Sequence, residues 1–226
     1  MDLQPGRLFL LLLSPMLKFP LLLLLMVPCA PAQEIHLFDG KTLDGWEVSG
    51  DGVWSVRLDG CIVGQRDPRL PKSKFDADQS WLYTKAEYGE FDLHLEYWVC
   101  LAGNSGVSIR DQSRAKYSHG PDADPHRTPS HVGYEIQISI GDGDPYQTGS
   151  VYLFDRAKTG FQNDLEWNSL DIESRNDLIR VSLNGHLVSE SPGDPQRSKV
   201  GPIGLQLHDR STVAMFRNIR LRPFKK

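Results

Sequence analysis

The sequence predicts an all-β sandwich or barrel, on three observations. Beyond its N-terminal apolar stretch the chain shows no long run with a helical period. Short runs of alternating apolar and polar residues recur instead, separated by Gly, Asp, Asn and Pro clusters such as SGDG, RLDG, LAGNSG, GDGDP and LNGH. Two pairs of these runs are joined by hairpin signals, Asp59-Gly60 in VWSVRLDGCIVG and Asn184-Gly185 in LIRVSLNGHLVSES. Many short strands at such spacing are the mark of a sandwich or barrel, and Asn-Gly or Asp-Gly between alternating runs is the strongest short-range hairpin signal.

Residues 1–32 read as a secretory signal peptide. Arg7 and Lys18 precede the apolar runs LFLLLLS and LLLLLMV, and the stretch ends in PCAPAQ. Basic residues, an apolar core and a small-residue A-x-A site are the signature of an exported precursor, with Ala30 and Ala32 at the cleavage positions. Ser14, Pro15, Lys18 and Pro20 interrupt the run, so it holds no clean span of about 20 apolar residues. The expected mature domain is 33–226, secreted or periplasmic. No second apolar run could span a membrane. At about 190 residues the mature chain suits one domain with a full core. A formal net charge of -4 gives no support to a nucleic-acid partner. Two cysteines remain, Cys61 in GCIVG and Cys100 in YWVCL. They either pair, as an exported protein allows, or stay free in apolar strands.

Four strands carry the functional signal: FDLHLEYW, NSGVSIR, VGYEIQIS and IGLQLHD. Successive strand side chains point to opposite faces, so the apolar residues of each run share one face and the rest share the other. If the four runs share a sheet, its second face carries Glu96, Arg110, Glu135, Gln137, Gln206 and His208. Glu, Arg, Gln and His on one face suit a polar ligand better than a plain solvent surface. Glu135 and Arg110 are candidates for catalysis or for a simple ion pair. His208 is an acid, a metal ligand or a hydrogen-bonded strand-end histidine. Asn104-Ser105-Gly106 reads as a turn.

Two long polar loops interrupt the strands, QRDPRLPKSKFDADQ and DQSRAKYSHGPDADPHRTPSHVG. The second joins two of the site strands, and long loops inside compact domains are usually functional or disordered. His119, His126 and His131 lie in it with Asp122 and Asp124, but their spacing fits no standard zinc pattern, so a solvated loop is expected. GDGDP lacks the full calcium-loop pattern and reads as turn composition. Trp167 and Asn168 either offer a sugar ring an aromatic face with a hydrogen bond beside it, or belong to the core.

The ordered set LFDGKTLDGW, WLYTKAEYGEFDLHLEY, GNSGVSIR, GYEIQI, TGSVY, LEWNSLDI, LNGHLV, GPIGLQLH and FRNIRLRP resembles the 3-keto-disaccharide hydrolase domain family. The resemblance runs from about Ile35 to Pro223. It implies a concanavalin A-like jelly-roll sandwich of two curved antiparallel sheets with a cleft on the concave face. It implies a carbohydrate-derived substrate oxidised to a ketone at the sugar's third carbon, and it places Asn104 toward the cleft through the family's NSG motif. Glucanases of this fold carry E-x-D-x-E or E-x-D-x-x-E on one strand, whereas Glu166, Asp171 and Glu173 here have other spacing. A retaining mechanism with carboxyls about 5 Å apart is therefore not expected. A C3 ketone acidifies the C2 proton, and elimination across C1–C2 needs a base, a stabiliser for the enolate and an acid. Glu135 is the candidate base, Arg110 or a bound divalent cation the stabiliser, and His208 the acid or a metal ligand. Substrate contacts are expected from Asn104, Gln137, Trp167, Asn168, Gln206 and Glu96. A non-catalytic carbohydrate-binding module is the competing reading.

A chain truncated to residues 33–226 is expected to fold on its own. Its thermal melt should be cooperative, and a featureless melt would move the boundary.

Overall fold

The computed structural model describes residues 33–67, 79–141 and 143–224. The expected signal peptide and most of the loop QRDPRLPKSKFDADQ lie outside the described residues. Thirteen strands and one short helix are arranged in chain order: β1 (Ile35–His36), β2 (Trp46–Ser49), β3 (Gly52–Val56), β4 (Ile62–Arg66), β5 (Ser80–Thr84), β6 (Phe91–Val99), β7 (Asn104–Ile109), α1 (Pro129–Val132), β8 (Tyr134–Ser139), β9 (Asn168–Arg175), β10 (Leu178–Leu183), β11 (His186–Pro192), β12 (Ile203–Leu207) and β13 (Val213–Pro223). They form two antiparallel sheets. The larger has the order β11-β10-β9-β6-β13-β4-β3, with β1 added against β13, and the smaller has the order β2-β5-β12-β7-β8.

Period-two alternation builds the core between them. Leu93, Leu95, Leu170, Ile172, Val181 and Phe216 of the larger sheet meet Leu82, Val107, Ile109, Ile136, Ile138 and Leu205 of the smaller one, all essentially buried. Each such side chain contributes about 1.5–3 kcal/mol when removed from water. Both hairpins form as expected. Asn184 and Gly185 take φ of 50° and 80° at the β10–β11 turn, and Gly60 takes 77° between β3 and β4. Such positive-φ turns match the twist of the flanking strands.

Two expectations are corrected. The four signal strands do not share a sheet: β6 pairs with β9 and β13, whereas β7, β8 and β12 are neighbours in the smaller sheet. Alternation reports which residues of one strand share a face and carries no information on which strands pair. Asn104-Ser105-Gly106 is the start of β7. The preceding turn is at Cys100, whose carbonyl accepts the Gly103 N–H at 2.8 Å, with Ala102 at φ 55°. Cys61 and Cys100 are both free. Burial, reinforced by the Asp59 carboxylate that accepts from the Cys61 thiol, pushes that thiol up to about 11.

The smaller sheet is buried on its outer face as well. On β5, Leu82 enters the core while Trp81 and Tyr83 face outward, yet both aromatic rings are fully covered and pack with Ala115. The cover is the long segment after β7. Asp111 anchors it: its carboxylate accepts from Tyr83 Oη at 2.7 Å, Ala115 N at 2.8 Å, Ser113 N at 2.9 Å and Ser113 Oγ at 2.6 Å. Arg114 then clamps the segment to Thr84 O at 2.7 Å and Glu47 at 2.9 Å.

Asp111→Ala removes four acceptor contacts in a fully buried place, and a hydrogen bond to a charged group is worth about 1.5–3 kcal/mol. The variant should melt several degrees lower and expose Trp81. An unchanged melt with unchanged tryptophan fluorescence would remove Asp111 as the anchor.

Candidate functional site

Strand register lays three rows across the covered face. Tyr83, Gly204, Ser108 and Glu135 are cross-strand neighbours in the first row. The second contains Trp81 beside Gln206 and Gly106 beside Gln137. In the third, Asn104 pairs with Ser139, and the Asn104 carbonyl accepts the His208 N–H at 3.2 Å. Two glycines hold the floor open. A Cβ at Gly106 would lie 2.9 Å from Glu135 Oε1, and one at Gly204 would lie 2.4 Å from the Tyr83 ring. The large side chains of β5 and β8 therefore lie over backbone that has no side chain of its own.

These rows floor a cavity of about 160 Å³. Asn104, Glu135, Gln137 and His208 rise from the sheet, and Thr128, Ser130 and His131 close over them from the covering segment around α1. Gln79 and Tyr152 complete the wall. Glu135 is 4% exposed, and burial pushes its carboxyl up to about 8. The Gln206 amide opposes that rise and the Asp144 charge adds to it. Gln206 itself is fully buried, and neither of its amide atoms has a partner in hydrogen-bond geometry. Burial also holds the His208 and His131 imidazoles below their usual range, so both are neutral at neutral pH. His131 Nδ1 sits 2.8 Å from Thr128 Oγ1. Gln137 Oε1, Asn104 Oδ1, Ser108 Oγ and Ser139 Oγ are likewise buried without a partner. Buried polar atoms in a folded protein nearly always find partners, so this concentration on one face is the expected signature of a polar ligand site.

The structure gathers Glu135, Gln137, Asn104, Gln206 and His208, and it sends the other candidates elsewhere. Arg110 follows β7 with φ 61°, and this left-handed residue breaks the alternation. It is 1% exposed, and its Nη1 lies 3.5 Å from Asp177 Oδ1, on the β9–β10 turn of the opposite sheet. The expected ligand-face guanidinium is thus an ion pair between the sheets. Glu96 is on the outer face of the larger sheet, where it accepts from Arg217 and Asn218, each at 2.6 Å. Trp167 lies beneath that same Arg217, 4.0 Å from ring centroid to guanidinium carbon. Asn168 is buried and structural, donating to the Asn163 carbonyl at 2.8 Å and the Glu166 carbonyl at 2.9 Å.

Sequence reasoning missed Gln79, Thr128, Ser130, His131, Asp144 and Tyr152. Most of them come from the two segments read as solvated loop and plain turn. Asp144, in GDGDP, accepts from Tyr146 N at 2.8 Å, Tyr152 Oη at 3.3 Å and Gln137 Nε2 at 3.5 Å. The available signal was loop length: the long segment joins β7 and β8, the strands that bear Asn104 and Glu135. Among the described residues no three His, Cys, Asp or Glu side chains come together as a metal-binding group. A larger groove of about 390 Å³ crosses the outer face of the larger sheet. Its charges pair with one another, as His94–Asp171 at 2.7 Å and Arg180–Glu173 at 3.3 Å.

Residues 33–222 match the model of the 3-keto-alpha-glucoside-1,2-lyase-like domain. A proposed glycosyl hydrolase from Parabacteroides distasonis is similar in structure, with a TM-score of 0.63 and 26% identity, covering 85% of this chain and 100% of its own. Another from the same organism gives 0.65 at 22% identity, covering 85% and 94%. A β-glucanase from Bacillus licheniformis gives 0.54 at 13% identity, covering 87% and 100%, which shows the jelly-roll fold alone. No curated relative matches this chain.

The folded pKa of Glu135 lies above its ordinary value of 4.5, at about 8. The folded state therefore binds the extra proton, and stability falls as pH rises through this window. Glu135→Gln removes that loss. Its melting temperature should exceed that of the wild type by more at pH 8 than at pH 5. A difference independent of pH would show that Glu135 is ionised throughout.

Proposed function

The chain belongs to the 3-keto-alpha-glucoside-1,2-lyase-like domain family, and from that membership we propose that it cleaves glycosides whose sugar carries a ketone at C3. Export after removal of residues 1–32 is part of the same proposal. The observation that carries it is Glu135, the only carboxylate among the described residues lining the cavity. Double-displacement glycosidases need two carboxyl groups about 5–5.5 Å apart. A single buried carboxylate suits proton abstraction instead, and an acid or base works best with a pKa near the working pH.

In this reading the C3 ketone acidifies the C2 proton and Glu135 takes it. The C2–H electron pair moves into the C2=C3 enolate, then forms the C1=C2 bond as the C1–O bond breaks. The departing oxygen collects a proton, so the products are an unsaturated 3-keto sugar and the free aglycone. The Asn104 amide and the neutral imidazoles of His131 and His208 are among the lining groups that can donate to the C3 oxygen and the leaving oxygen. A dry site strengthens such contacts and holds them in place before charge develops. Gln206, on the same covered face, counters the rise of the Glu135 carboxyl. Arg110 is given no part in the chemistry, because it does not line the cavity and its Nη1 lies 3.5 Å from Asp177 Oδ1. A pure binding module of this fold would use an open groove with stacked aromatics. The buried Glu135 and its displaced pKa favour the enzyme.

Glu135→Gln should lower turnover of a 3-keto-glucoside by about 10²–10⁴-fold while ligand binding survives. The wild type should exchange the C2 hydrogen in heavy water, and kcat/KM should rise with pH up to about 8 as Glu135 ionises. Equal cleavage of unoxidised glucosides without C2 exchange would overturn elimination. A rate that falls through that pH range would make Glu135 the acid.

A further inference from the structure

We propose that Asp144 is a positioning residue that turns Gln137 and Tyr152 into hydrogen-bond acceptors toward the cavity, so that this part of the wall recognises a free hydroxyl of the sugar and leaves its ketone to other lining groups. The inference rests on the cavity being the sugar site. It concerns how the ligand is oriented there, which the elimination chemistry alone does not fix.

Asp144 is not among the lining residues, but its partners are. Its Oδ1 accepts the Tyr146 N–H at 2.8 Å, and its main-chain carbonyl accepts from Gln147 Nε2 at 2.6 Å, so the carboxylate is held in one orientation. Its Oδ2 then faces Tyr152 Oη at 3.3 Å and Gln137 Nε2 at 3.5 Å, and both of these residues line the cavity. The backbone ties the two together, because Tyr152 N donates to the Glu135 carbonyl at 2.8 Å and Gln137 N to the Ser150 carbonyl at 3.0 Å. Carboxylate oxygens accept and do not donate, and the two ends of an amide are told apart by their partners. The phenol proton of Tyr152 and the NH2 end of Gln137 are therefore turned to Asp144. Burial, and after it the Asp144 charge, pushes the Tyr152 phenol up to about 12, so the phenol keeps that proton. Left for the cavity are the lone pairs of the Tyr152 oxygen and Gln137 Oε1. Gln137 is 1% exposed, and its Oε1 is buried without a partner. The missing partner is a donor. A sugar hydroxyl has a proton to give, whereas a ketone oxygen has only lone pairs and would meet lone pairs here.

The test compares methyl α-glucoside with its 2-, 4- and 6-deoxyfluoro derivatives by calorimetry or ligand-observed NMR, and needs neither the C3 ketone nor turnover. Fluorine takes the place of the hydroxyl without a proton to donate. At least one derivative should bind the wild type about 10-fold more weakly than the parent, and that derivative identifies the hydroxyl that faces Gln137. Asp144→Asn keeps the shape of the side chain. Its Oδ1 still takes the Tyr146 N–H, so an NH2 group replaces Oδ2 and the Gln137 amide has to turn over. The fluorine penalty should then shrink to about 2-fold or less. General damage to the site would weaken parent and derivatives alike and leave their ratio unchanged. If Asp144→Asn fails to fold, Asp144→Ser keeps a turn-capping oxygen, withdraws Oδ2 from Gln137 and reads the same ratio. Equal binding of parent and all three derivatives, a penalty that substitution of Asp144 leaves intact, or no binding of the parent would each overturn the inference. It fails separately from the lyase reading. A fluorine penalty without cleavage of the 3-keto forms keeps the positioning role and removes the elimination chemistry. Cleavage without a penalty does the reverse.

Discussion

The site depends on one buried carboxylate. Asp111 collects the phenol of Tyr83 and three donors from the chain just beyond it, and so folds the segment after β7 back over the five-stranded sheet. An antiparallel sheet commonly keeps one wet face. Here the second face is covered, and everything on it is removed from bulk water. The raised carboxyl of Glu135 and the neutral imidazoles of His131 and His208 share that single cause, since burial is the largest influence on each. Uncovering the face would return all three toward ordinary values together.

Covering a sheet leaves the problem of volume. Glu135, Gln137 and Tyr83 could not lie flat beneath the segment if their cross-strand neighbours were also large. Gly106, Ser108 and Gly204 supply the space, and β7 and β12 act as a low trough between taller strands. The trough also concentrates unpartnered amides and hydroxyls in one place. Such groups are costly to leave unsatisfied, at about 1–3 kcal/mol each. Several of them lie side by side here, on the face that bears Glu135.

Much of this was legible in the sequence. Alternation gave both hairpins and put Glu135 opposite Tyr134 and Ile136, because period two is a local property of the backbone. The same locality explains the failures. Glu96 alternates as cleanly as Glu135, yet β6 pairs in the other sheet, and nothing within FDLHLEYW states its partner. Arg110 was misplaced by one dihedral: a left-handed residue at a strand end sends its side chain out of the pattern, and arginine gives no warning of it. His131 and Asp144 sit in segments whose composition looks like solvated turn. Their roles come from where those segments lie in space, which depends on anchors such as Asp111 that are far from them in sequence.

The arrangement of β8 limits how such a chain can change over time. Glu135, Gln137 and Ser139 face the cavity while Tyr134, Ile136 and Ile138 fill the core. Single substitutions can retune either set without disturbing the other. A one-residue insertion or deletion within the strand would exchange the two sets, drive carboxylate and amide into the core, and place three large apolar groups in the cavity. Lineages that descend from this chain are therefore free to vary in residue identity along β8 but fixed in its length. Length variation should collect in the surface connections farthest from it, where no register is held.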